Sequence, residues 1–144
     1  MWRLAFSVLL ASLLAAPVAA DDVVARRIDL MKSIGEAMKV MAPMFNGQTE
    51  LRIDVVAAEA TRLHRESGQV LALFPAGSLT PPSRAQPEVW SFWPEFEKRA
   101  RALETHGADL AAAADRRDAA AASGAFLALT RTCSECHRYF RARK

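Results

Sequence analysis

Residues 122–140 read "ASGAFLALTRTCSECHRYF". Ala122, Phe126, Leu129, Cys133, Cys136 (or His137) and Phe140 recur three and four apart, the spacing that sets apolar side chains on one face of an α-helix. Both cysteines of the chain lie in this stretch. The last helix thus ends in two thiols and an imidazole, and the other segments have to supply what packs against it.

Three upstream stretches repeat the same period. The first runs from about residue 23 to 45, with Val24, Ile28, Met31, Ile34 (or Gly35), Met38 and Met41 in line. Pro43 should disturb its last turn, and Gly47 suits the position just past its end. The second runs from about residue 50 to 73, with Thr49 as candidate N-cap and a face of Val56, Ala60, Leu63, Val70 and Phe74. The third opens near Pro87, a favoured first-turn residue. Its stripe is Val89, Trp93, Phe96, Ala100, Leu103, Gly107, Leu110 and Ala114, and Pro94 inside it predicts a kink or a restart. Between the second and third lies "FPAGSLTPPSRAQP" (residues 74–87), whose four prolines and one glycine exclude a helix. Asp115 to Asp118, "DRRD", makes the last turn. No stretch alternates with period two. Narrow stripes and two short connections out of three predict an all-α, up-down-up-down antiparallel four-helix bundle.

The N-terminus, "MWRLAFSVLLASLLAAPVAADD", has one basic residue, an apolar run and small residues before Asp21. That is the layout of a secretory signal peptide, and the run is short for a membrane span. Residues 1–20 are therefore expected to be removed, leaving residues 21–144 as a single domain exported to the periplasm, with no membrane attachment after cleavage. The chain has 19 Lys plus Arg against 16 Asp plus Glu. Its pI of about 9.2 comes without a dense basic block carrying interleaved aromatics, so nucleic-acid binding is not expected. The alanine runs at 111–114 and 119–122 are good helix-forming sequence and ask for no function.

Cys133, Cys136 and His137 admit three chemistries. A thioredoxin-like dithiol sits at a helix N-terminus after a strand, where the dipole lowers a thiol pKa. This pair sits late in the last helix of an all-helical chain. A structural zinc site needs four ligands, and His64 and His106 belong to other helices. A disulfide three residues long would constrain very little. Covalent haem attachment uses every residue of the motif: two thioethers from Cys133 and Cys136, and His137 as proximal iron ligand. One covalently attached haem c per chain is therefore expected, near the C-terminal end of helix four.

With these features the chain resembles the class II c-type cytochromes, which include the cytochromes c-prime. The attachment motif continues into Phe140 and Arg141, an aromatic and then a basic residue three and four positions past the histidine. "PEVWSFWPEFEKRARALE" resembles the family's third helix, with its Pro-Glu-x-Trp start at Pro87, Glu88 and Trp90. "RRIDLMKSIGEAMKVMAPMFNG" resembles the first helix of low-spin members, in which a methionine is the sixth ligand. In an up-down-up-down bundle the end of helix four lies beside the start of helix one. The matching level there is taken as residues 28–32, which singles out Met31 as distal axial ligand. Met38 lies about 10 Å further along and reads, with Met41 and Met44, as core. Val70, Phe74, Trp90 and Trp93 are candidate pocket walls. Arg141 is the main candidate for pairing with a haem propionate, and Arg27 a weaker one.

The expected function is a monohaem c-type cytochrome that passes single electrons through His137/Met31-ligated iron to redox partner proteins. No nucleophile–base pair or paired carboxylates suggest an enzyme. If Met31 only fills the core, the iron is five-coordinate and the protein becomes a binder of nitric oxide or carbon monoxide. A haem-free helical binding protein with a dithiol is the further alternative, and homodimer formation stays open.

Overall fold

The computed structural model describes residues 20–143. The expected signal peptide lies outside the described residues, save for Ala20. Helices are α1 (Ala20–Phe45), α2 (Ile53–Ser67), α3 (Glu88–Ser91), α4 (Trp93–Asp115) and α5 (Ala119–Phe140), with a 3-10 turn at Leu71–Leu73. The four long helices are the expected bundle, and α3 is a one-turn prelude to α4.

The proline predictions resolve differently at the two sites. Pro94 forces a restart: the chain leaves helical geometry at Phe92 (φ −121°, ψ 44°) and re-enters at Trp93. A proline ring in a continuous helix would clash with the carbonyl four residues back, here Trp90. Pro43 is instead carried inside α1, which continues to Phe45. Gly47 then turns the chain at φ +70°, a conformation that costs glycine little. Thr49 is not the cap of α2. Its N–H is spent on the Pro43 carbonyl at 3.2 Å, closing off α1, and α2 starts at Ile53 behind an uncapped Arg52. The second helix also stops at Ser67, short of the expected residue 73. The "DRRD" turn is as expected, with Arg117 at φ 56° and the Asp118 carboxylate accepting from the Ala121 N–H at 3.0 Å.

α2 packs on α4, α4 on α5, and α1 on α2, whereas α1 and α5 share no comparable packing. Met41, Leu63, Leu110, Leu129, Val24 and Val56 are fully buried at the centre. The α2–α4 crossing is close enough that a Cβ on Gly107 would stand 3.0 Å from Leu63 Cδ2 and 3.2 Å from His64 Cα. Glycine is there for approach.

At the end of the bundle that holds the last turns of α5, the long loop is tied down by one side chain. Arg27 of α1 is buried. Its Nε donates to the Leu73 carbonyl (2.8 Å), and its terminal nitrogens donate to the Ser78 carbonyl (3.2 Å), Ser78 Oγ (2.5 Å) and Ser83 Oγ (2.9 Å). The guanidinium also lies 4.0 Å from the Phe74 ring centroid, a cation–π contact in a desolvated setting. The loop's far end pairs with the C-terminus through an antiparallel bridge between Ala85 and Arg141.

Candidate functional site

Helix α5 sets Cys133, Cys136 and His137 by its own periodicity. Phe126 of α5 stacks on Phe45 of α1 at 4.4 Å between centroids, marking the side that faces α1. Thr132 accepts from or donates to His106 Nδ1 at 2.9 Å, marking the side that faces α4. At 3.6 residues per turn, Cys133 and His137 both lie within about 20° of Phe126. Both therefore look into the α1–α5 seam. Cys136, three residues on, points nearer the core, against which it packs.

Both thiols are free and half-buried. Burial pushes the Cys136 thiol up to about 11, with nearby Arg99 opposing the shift, and burial raises Cys133 too. A redox dithiol needs the opposite, a thiol lowered toward neutrality, so the dithiol reading loses its chemistry. The zinc reading fails on geometry: the described residues hold no group of three or more His, Cys, Asp or Glu side chains able to take a metal ion. His64 is tied to the Glu104 carbonyl at 3.1 Å and His106 to Thr132. His137, by contrast, has no hydrogen-bond partner among the described residues and is exposed. Desolvation of its ring, then the charges of Arg141 and Arg84, hold its pKa below the ordinary value. A neutral imidazole with a free nitrogen is the form that ligates iron.

The opposite wall of the seam is α1. Met31, Met38 and Phe45 are seven residues apart and share one stripe within about 40°, and that stripe faces α5 because Phe45 does. Met31 and Met38 are half-buried and pack on the core alike. Counting back from the Phe45–Phe126 contact, the 11 residues to His137 correspond on antiparallel α1 to residue 34. Buried Ile34, on the same stripe as Phe45, stands at that level, with Gly35 beside it and Met31 about one turn away. A Cβ on Gly35 would meet nothing within 4 Å. Free half-buried thiols, an unpartnered imidazole, weak α1–α5 packing and open space at Gly35 together suit a flat macrocycle held between α1 and α5.

The remaining candidates separate. Trp90 is half-buried, and its indole N–H donates to the Phe74 and Pro75 carbonyls at 3.1 Å each, so its polar edge belongs to the loop. With Phe74, Trp93, Phe96 and Phe140 it forms a contiguous aromatic cluster at this end. Val70 is buried core. Arg141 is exposed, one turn past His137 and extended (φ −127°). Arg27 spends its donors on the loop and is a clamp, not a free partner for a carboxylate. Sequence reading missed Arg84, which reaches His137 electrostatically and donates to the Ala142 carbonyl. Only the loop's return to the C-terminus puts it there, and no local pattern announces that.

The profile of the family described as Cytochrome C' matches residues 22–141. Cytochrome c' of Rhodopseudomonas palustris is 32% identical over 128 residues, covering 88% of this chain and 86% of that protein. Cytochrome c-556 of Agrobacterium tumefaciens strain B2A is also 32% identical, covering 84% of this chain and 98% of its own. Among solved structures, a reduced point mutant of cytochrome c' from Alcaligenes xylosoxidans superposes with a TM-score of 0.80 at 25% identity, over 86% of this chain and 97% of the other. A nitric oxide complex of another point mutant of that protein gives 0.79 at 26% identity, over the same shares.

These matches correct the expected function. The family is cytochrome c', and the matched structures include nitric oxide complexes. They do not support the low-spin subtype with Met31 as distal ligand, nor the His/Met electron carrier built on it. The physical reason lies in packing: Met31 is half-buried against the core as Met38 is, a flexible thioether filling a gap at helical spacing. The cofactor expectation stands, one covalently attached haem c per chain. By profile, by identity over most of its length and by fold, the chain belongs to the cytochrome c' family.

Proposed function

We propose that this protein binds nitric oxide or carbon monoxide at a five-coordinate haem iron, and that Cys133, Cys136 and His137 hold that haem in the seam between α1 and α5. The single observation that carries the reading is the pairing of an unpartnered, seam-facing imidazole on α5 with open space at Gly35 on α1, within this family. Haem supplies an iron that takes a diatomic ligand in its sixth position. The chain supplies the rest. Cys133 and Cys136 anchor from two turns of one helix, so the cofactor cannot slide along the seam. His137 donates a neutral nitrogen, kept neutral by desolvation of its ring and then by the charges of Arg141 and Arg84. Trp90, Trp93, Phe74 and Phe140 close the end of the bundle to water. Arg141 is the candidate to pair with a haem propionate. We further read residues 1–20 as an export signal and the mature protein, from about Asp21, as a periplasmic single domain.

The test is optical. Purified holoprotein should contain one haem by pyridine haemochrome, a high-spin ferric spectrum, and a ferrous form that binds carbon monoxide. Met31→Ala should leave the ferric spectrum unchanged. A low-spin wild type that turns high spin in Met31→Ala would overturn the five-coordinate reading.

A further inference from the structure

We propose that the loop at residues 74–87 is a strap between the two walls of the seam, latched to α1 by Arg27, and that this latch governs how fast a diatomic ligand enters. The proposal rests on the haem reading above. It makes Arg27 a positioning residue for that site, acting through the loop and not on the ligand.

α1 and α5 meet at the Phe45–Phe126 stack, but His137 lies about three turns beyond Phe126. At the His137 end the loop joins the two helices. Toward α5, the Gln86 N–H donates to the Phe140 carbonyl at 3.0 Å and the Ala142 N–H to the Arg84 carbonyl at 2.8 Å. These bonds frame the bridge between Ala85 and Arg141. Toward α1, Arg27 holds Leu73, Ser78 and Ser83. Ser83 connects the two halves: its Oγ accepts from Arg27 at 2.9 Å and from the Ala85 N–H at 3.2 Å. A run of polar contacts thus leads from α1 through Ser83 and Ala85 to Arg141, one turn past His137.

Packing alone does not call for an arginine at this position. The guanidinium is buried, and its acceptors are neutral carbonyls and hydroxyls. Desolvation lowers its pKa. A buried charge without a counter-charge is costly, and an apolar side chain of similar volume would fill the space at less cost. What arginine adds is a rigid fork of five N–H donors, here spread over three residues. Ser78 is matched to it. That residue is buried, and its hydroxyl donates to the Pro75 carbonyl at 2.7 Å, which leaves the oxygen to accept from Arg27. A strap held by hydrogen bonds parts and recloses locally, without disturbing the apolar packing of α2 on α4.

The test follows carbon monoxide uptake by the ferrous holoprotein in a stopped-flow instrument, with amide hydrogen exchange at Gln86 and Ala142 in the same protein. Arg27→Gln should speed association about fivefold or more, and exchange at both amides about tenfold. Arg27→Lys should behave as Arg27→Gln does, because it keeps the charge and loses the fork. Ser78→Ala with Ser83→Ala weakens the latch from the loop's side and should reproduce the effect. Adding Arg27→Gln to that pair should then change little, as expected of residues acting as one unit. Arg62→Gln is the control. Arg62 of α2 ties α1 from another side, donating to the Ser33 carbonyl at 3.1 Å and to Ser33 Oγ at 2.6 Å. Its loss should leave association within about twofold of wild type.

Wild-type association in Arg27→Gln overturns the proposal. A fast Arg27→Gln beside an unaffected serine pair does so too, since Arg27 then acts on the haem directly. Wild-type kinetics in Arg27→Lys would assign the effect to charge and remove the latch, and an equally fast Arg62→Gln would assign it to general loosening of α1. Should Arg27→Gln not accumulate, the serine pair decides by the same two readouts. A ferrous wild type that takes up no carbon monoxide is a failure of the haem reading, and the exchange readout then decides the latch by itself.

Discussion

Two glycines divide this bundle. Gly107 lies where α4 crosses α2, and a Cβ there would press on Leu63 Cδ2 at 3.0 Å and on the His64 backbone at 3.2 Å. Gly35 lies on α1, and a Cβ there would touch nothing within 4 Å. The α2–α4 half is packed as a protein interior is, and supplies rigidity. The α1–α5 half is held together at one end by the Phe45–Phe126 stack and, at the other, asks for something that is not protein. On the function proposed above, stability and ligand binding are assigned to opposite seams of one bundle.

The largest effect expected from this contrast comes from the thiols. Cys133→Ser with Cys136→Ser should remove the covalent anchors, and the seam should lose its filling while the α2–α4 half keeps its own. We expect a loss of several kcal/mol, of the order seen for large cavities in cores, read as a lowered midpoint in urea with near-native helix content at zero denaturant. A variant as stable as wild type would mean that the seam closes on protein alone.

Gly107→Ala tests the packed side. The added methyl meets backbone as well as a side chain, so α2 and α4 must separate. About 1–3 kcal/mol of destabilisation is expected, with the haem spectrum intact. Gly35→Ala is the smallest change and should go the other way. Exposed or uncrowded helix glycines gain up to about 1 kcal/mol on replacement by alanine, so stability should rise slightly. If the haem reaches this level of α1, the same methyl narrows its space, and carbon monoxide association with the ferrous protein should slow. Should association be unaffected while stability rises, the seam's open position lies at another level of α1.

Much of the bundle was legible before any coordinates. The stripes of α4 and α5 follow from 3.6-residue spacing, and the restart at Pro94 follows from a ring that cannot share space with the Trp90 carbonyl. Cys133, Cys136 and His137 were legible for the same reason, since four or five residues on one helix have their geometry set by that helix. Thr49 failed as a cap because α2 begins only at Ile53, behind Arg52, while Thr49 still serves to close off α1, an allocation between elements that a local pattern does not contain. The electron-carrier reading built on Met31 failed at a related point: its level was read from chain ends, whereas register depends on which side chains meet, here Phe45 and Phe126.

The sequence alone thus determined what is local: the helices, the breaks between them, the attachment motif and the chemistry it implies. Tertiary structure alone decided what faces what. It stacked Phe45 on Phe126 to join α1 and α5, buried Arg27 as a clamp on the loop, and carried Arg84 across the fold to the C-terminus. Periodicity fixes direction around one helix axis, but register between helices comes from side-chain packing, and that packing is only defined once the whole chain is folded.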